Sequence, residues 1–185
     1  MNRAVLAVAV LAAWTSVASA GTYVGLGIGT AASVSESSGP LYNTDGRSGR
    51  LALGWRLGRF SIEGAYTGYG LVQTQTDGNG KVDSHTVQAA GKLNFPLGNN
   101  FEMFGRAGFL RTWLSPSDSS SGAMDLTGNG YTLSAGFEYR LDLGLAGGSI
   151  FVDYSHNNAS LSGSGTSATL EQTATMWTLG VNLSI

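Results

Sequence analysis

Cysteine is absent from this chain, which excludes a disulfide framework, a thiolate metal site and a cysteine nucleophile. Charge is scarce as well. Asp, Glu, Lys and Arg make up 12% of the residues, about half the ~25% of an ordinary soluble domain. Ten Lys and Arg stand against twelve Asp and Glu, a formal charge of −2. They form no basic cluster, so nucleic acid is not an expected partner. Long apolar runs are also missing. The longest, residues 4–14, falls well short of the ~20 needed for a membrane-spanning helix.

That run has a different meaning. Arg3 precedes it and the small-residue triplet Ala18, Ser19, Ala20 follows it, which is the order of a secretory signal peptide. The expected organisation is therefore a cleaved leader over residues 1–20 and one domain over residues 21–185. Glycine accounts for 28 of 185 residues, about twice the usual ~7%.

Beyond the leader, helical periodicity gives way to alternation with a period of two. Eight segments show it: 22–32, 48–57, 60–69, 84–95, 101–113, 130–141, 149–156 and 172–185. One face carries residues such as Leu51, Leu53, Trp55, Ile62, Val87, Leu133, Ile150 and Leu179. The other is mostly Gly, Ala, Ser, Thr and Asn, punctuated by charge. Connections alternate in length: 58–59, 96–100 and 142–148 are short, whereas 33–47, 70–83, 114–129 and 157–171 are long and polar. Turns at one end and long loops at the other are the signature of an outer-membrane barrel, with the loops outside.

Alternation alone does not say which face is inside, because a soluble barrel points its apolar face inward. The composition of the polar face decides. Small residues fit the crowded interior of an eight-stranded barrel, whereas a water-facing surface would be rich in Lys, Glu and Gln. Aromatics fall near strand ends, with Trp55, Phe60, Phe95 and Phe101 below and Tyr66, Trp113, Tyr131 and Tyr154 above, as interfacial girdles require. The expected fold is all-β: an eight-stranded, antiparallel, up-and-down transmembrane barrel. Closure pairs every backbone group in lipid and leaves no edge.

The last residues, Thr178 to Ile185, resemble the outer-membrane assembly signal through Thr178, Gly180, Leu183 and the hydrophobic terminal Ile185. That family pattern usually ends in Phe. With segments such as Phe60-Ser-Ile-Glu-Gly-Ala-Tyr66 and Phe104-Gly-Arg-Ala-Gly108, the chain resembles the OmpA/OmpX-like β-barrel superfamily, as the barrel domain alone. The resemblance implies an outer-membrane location reached through the periplasm. It also implies contact with outer-membrane lipid and lipopolysaccharide, and passage through the barrel-assembly machinery. An extracellular ligand would be met through the loops. Such architecture is specific for fold and poor for function: structural barrels, adhesins, small channels and lipid-modifying enzymes all share it.

The informative polar set is the inward-facing charges Arg50, Arg56, Glu63, Lys92, Glu102, Arg106, Glu138, Arg140 and Asp153. Five cations and four anions nearly cancel, and buried charges are tolerable only when paired. A salt-bridge network that fills the lumen is expected, with Glu63, Lys92, Arg106, Glu138 and Arg140 at its centre; a gate for a narrow channel is the sharper alternative. The glycine-rich face of the first segment, Gly25, Gly27 and Gly29, is expected to leave some lumen open. His85 and His156 have no paired spacing, so neither a metal site nor a cofactor is expected. An eight-stranded lipid A deacylase would carry Ser two residues after its catalytic His. Asn158 stands there, with Glu171 only loosely placed, so no enzyme is expected.

Overall fold

The computed structural model describes residues 21–30, 33–36, 42–43, 47–73, 81–116, 126–143, 146–163 and 169–184. The expected leader, Ile185 and parts of each long loop lie outside them. The strands are β1 (Gly21–Gly29), β2 (Ser33–Glu36), β3 (Tyr42–Asn43), β4 (Ser48–Leu57), β5 (Phe60–Gln73), β6 (Lys81–Pro96), β7 (Phe101–Pro116), β8 (Leu126–Leu143), β9 (Ala146–Gly163) and β10 (Thr169–Ser184).

Eight of them close a barrel in the order β1-β4-β5-β6-β7-β8-β9-β10, each antiparallel to the next, and β10 pairs back onto β1 from Tyr23↔Ser184 to Gly29↔Thr178. The short β2 continues along β10 above β1, one residue out of step: Gly29 faces Thr178, but Ser33 faces Thr175. The short β3 lies against the upper part of β5. The tightest connection, Gly58-Arg59, joins Leu57 to its partner Phe60. Gly58 has φ 63°, the only positive φ among the described residues, as a two-residue hairpin with Gly in its first central position requires. Arg56 Nε donates to the Gly58 carbonyl at 2.8 Å and braces the turn.

Six strands run further toward the loop end than their alternation suggests. β5 reaches Gln73, β7 reaches Pro116 and β9 reaches Gly163, while β6, β8 and β10 begin at Lys81, Leu126 and Thr169. β1, by contrast, stops at Gly29 instead of residue 32. Above the apolar band the outward positions are polar, for example Asn129, Ser160 and Ser162, all exposed. The outward apolar stripe therefore ends there while the ladder of backbone hydrogen bonds continues.

Burial is inverted relative to a soluble protein. Leu53, Ile62, Leu133, Trp177 and Leu179 are about half exposed and Phe109 is 82% exposed, whereas the interior holds Arg50, Glu63, Lys92, Arg106 and Asp153. Such an apolar outer surface is stable only in hydrocarbon. Aromatic rings pair at both ends of the band, with Phe101 stacked on Phe137 below (5.5 Å) and Tyr154 tilted against Trp177 above (5.1 Å).

Candidate functional site

Alternation puts side chains on the inner face, and the register of eight strands then sets their height. The structure places all nine expected charges on that face, in three tiers. The middle tier is a closed quartet of two cations and two anions. Glu63 is paired with Arg50 and lies 3.1 Å from Arg106 Nε; Asp153 Oδ2 accepts from Arg106 Nη1 at 2.7 Å and lies 4.0 Å from Arg50 Nη1. All four are at most 5% exposed. Tyr23 Oη donates to Glu63 Oε2 at 2.8 Å, and Arg106 Nη1 reaches Ser134 Oγ at 3.2 Å. With its side-chain amide turned to suit, Gln88 accepts twice from Arg50, at 2.9 and 3.2 Å.

Below it, Lys92 is paired with Glu138, whose Oε1 also accepts from Ser149 Oγ at 2.5 Å and Asn182 Nδ2 at 3.2 Å. The Phe104 ring separates the two tiers, with Lys92 Nζ 4.3 Å from its centroid and the Arg106 guanidinium at 5.3 Å. At the short-turn rim Arg56 holds Glu102 through two contacts of 3.0 Å, and Arg140 Nη2 reaches the same carboxylate at 2.6 Å with 46% of its side chain exposed. Arg140 thus belongs to the rim and not to the centre, where Arg50 and Asp153 stand instead. Strand tilt and stagger decide height, and neither can be read from one strand's sequence.

The glycines of β1 do not leave the lumen open. A Cβ on Gly25 would sit 2.6 Å from Asn182 Oδ1, and one on Gly27 2.8 Å from Thr178 Cγ2. Three of the four buried aromatic rings have a glycine as a direct cross-strand partner, Tyr23↔Gly54, Phe104↔Gly136 and Phe151↔Gly180, while the fourth, Tyr69, faces Ser48 and Ser84. Any Cβ at those glycines would run into the ring. These three glycines make room for three rings in a narrow barrel.

Open space is unequal at the two ends. A cavity of about 230 Å³ enters from the short-turn end, lined by Tyr23, Arg56, Lys92, Glu138, Arg140 and Asn182 among others. On the loop side of the quartet a cavity of about 10 Å³ lies between Tyr69, Thr86, Leu110, Thr112 and Asn157, which is room for a single water. Asn157 Nδ2 donates to Tyr69 Oη at 3.0 Å, and the Thr86 and Thr112 hydroxyls share a hydrogen bond of 2.9 Å. Tyr69 and Ala174, which line this cavity, also form a buried apolar cluster with Leu114 and Met176. Sequence reasoning missed this cluster and the role of Tyr23. Parity with Gly25 marks Tyr23 as inward, but nothing in the sequence pairs it with Glu63.

The histidines lie on the outer surface. His85 is stacked between Tyr66 (6.0 Å) and Trp113 (5.4 Å), and His156 lies beside Tyr131 (6.4 Å). Asn158 Nδ2 donates to Thr173 Oγ1 at 3.1 Å. Among the described residues no group of His, Asp and Glu could hold a metal ion.

This architecture has solved counterparts. Neisserial surface protein A superposes with a TM-score of 0.70 at 16% identity, over 89% of this chain and 97% of its own. Ail, the attachment invasion locus protein of Yersinia pestis, gives 0.55 at 14% identity over 89% and 99%. The N-terminal β-barrel domain of Pseudomonas aeruginosa OprF gives 0.51 at 12% identity over 89% and 98%. At such identities the likeness is one of fold. No curated protein matches the chain in sequence. The family model for the outer membrane protein beta-barrel domain matches residues 3–184, and the chain accordingly belongs to that family of integral outer-membrane barrels.

Proposed function

We propose that this protein is a plugged, non-catalytic outer-membrane barrel with a structural or surface-interaction role, its lumen serving stability and its loop end serving contact. The observation that carries this reading is the double closure of the lumen. An ion entering from the short-turn end meets the Lys92–Glu138 pair and then the neutral quartet. Beyond them stands the apolar cluster of Tyr69, Leu114, Ala174 and Met176. Rearranging ion pairs alone leaves that second barrier in place. What stays available for recognition is the loop end, on a rigid scaffold that suits binding surfaces.

A narrow ion channel is the second reading, favoured by the cavity of about 230 Å³ that already reaches Lys92. Single-channel recording in planar bilayers, with protein purified from outer membranes, separates the two. The plugged reading expects stable insertion without discrete openings, for the native chain and for Glu63→Gln alike. Salt-dependent openings in the native chain that change in Glu63→Gln would establish the channel.

A further inference from the structure

All nine charges inside the barrel have an ion-pair partner. Arg111 has none among the described residues, and it points the other way. It follows the outward parity of Phe109 on β7 and is exposed. Among the described side chains it is the only cation carried outward by a barrel strand; Arg47, just before β4, is exposed on the far side of the belt beside Ile28 and Trp177.

Its height can be worked out. Phe101, in the lower girdle, is ten positions earlier on the same strand. At ~3.4 Å per residue and a tilt of ~40°, the two are ~26 Å apart along the membrane normal, close to the ~25 Å apolar band of such barrels. Arg111 therefore leaves the hydrocarbon at its outer edge, where a long cationic side chain reaches the headgroup layer. Its surroundings hold it there. The guanidinium lies 5.3 Å from the Trp113 ring, which stacks on His85, which stacks on Tyr66. The exposed Asn129 is its direct partner on β8.

We infer that Arg111, seated on the Trp113–His85–Tyr66 belt with Asn129 beside it, binds a phosphate group on the headgroup of an outer-leaflet glycolipid. A guanidinium matches a phosphate through two parallel hydrogen bonds. At this depth the phosphate comes with a lipid whose chains lie along the apolar surface below, beside Phe109. The site fixes one lipid against β6 to β8 and would orient the barrel in an asymmetric membrane.

The test uses the full barrel in lipid nanodiscs doped with diphosphorylated lipid A or with the same lipid dephosphorylated. Retained lipid is counted by native mass spectrometry. The native chain is expected to retain the phosphorylated lipid about tenfold better, the loss of one charged hydrogen-bond pair amounting to about a decade in affinity. Arg111→Ala abolishes the preference, and Arg111→Lys, which keeps the charge but not the fork, retains part of it. Arg111 is exposed and without an ion-pair partner among the described residues, so folding should be undisturbed; the heat-dependent gel shift of an intact barrel checks this, and Arg111→Gln replaces any variant that fails it. No preference in the native chain, or an unchanged one in Arg111→Ala, overturns the proposal. So does elimination of the preference by millimolar inorganic phosphate, which would mark a site for small anions.

Discussion

Replacing Glu63 with glutamine keeps the shape of the lumen and removes one of the two anions of the quartet. Glu63 serves three groups, Arg50, Arg106 and Tyr23. After the change Asp153 is left to serve both arginines, already at 2.7 Å from one and 4.0 Å from the other. The site then carries one uncompensated positive charge at about 5% exposure. Breaking a buried pair from one side costs about 3–5 kcal/mol. Because Asp153 keeps one anion in place and the new side-chain amide can still bond to Tyr23, the expected loss lies at the lower end, about 3 kcal/mol. Arg50→Gln alone should cost a similar amount, since it leaves the opposite excess. The double change restores neutrality and should cost clearly less than the sum, with a coupling of about 2 kcal/mol, within the range for contacting residues. The assay is equilibrium unfolding in urea of barrels inserted in lipid vesicles, followed by the fluorescence of the outward-facing Trp55 and Trp177. Buried pairs are weakly screened, so the loss should persist at ~1 M salt. A loss under about 1 kcal/mol, additivity of the two changes, or disappearance of the effect in salt would refute the closed quartet.

Two further outcomes follow from the packing and from the assignment of faces. Gly54→Ala places a methyl group into the Tyr23 ring, whose atoms are its three nearest neighbours. It should cost about 1–3 kcal/mol as overpacking. In a Tyr23→Leu background the same change should cost much less, and equal costs in both backgrounds would show that the ring does not lie over Gly54. Leu53→Arg puts a charge on the lipid-facing side, where Leu53 is 59% exposed. A loss of about 2–4 kcal/mol is expected on insertion into vesicles. A neutral result would mean that this position does not face hydrocarbon.

By itself the sequence determined the number of barrel strands, which residues face lipid, the two aromatic girdles and the sorting of short turns from long loops. The reason is geometric: in a strand the side-chain period is two, so alternation of Leu51, Leu53 and Trp55 with Arg50, Ala52 and Gly54 assigns each residue to a face without reference to any other strand. The same logic put Arg50, Glu63, Arg106 and Asp153 inside. The tertiary structure alone decided which of them meet. Height within the lumen depends on the stagger accumulated over the eight strands, which places Arg140 at the rim and Asp153, from β9, beside Arg50 of β4. The same register sets Tyr23, Phe104 and Phe151 each opposite a glycine, so that β1 is overlaid by neighbouring side chains instead of opening the lumen. Above the membrane, where the outward positions turn polar, the apolar outer stripe ends, and only hydrogen-bonded pairing between strands fixes how far the wall extends.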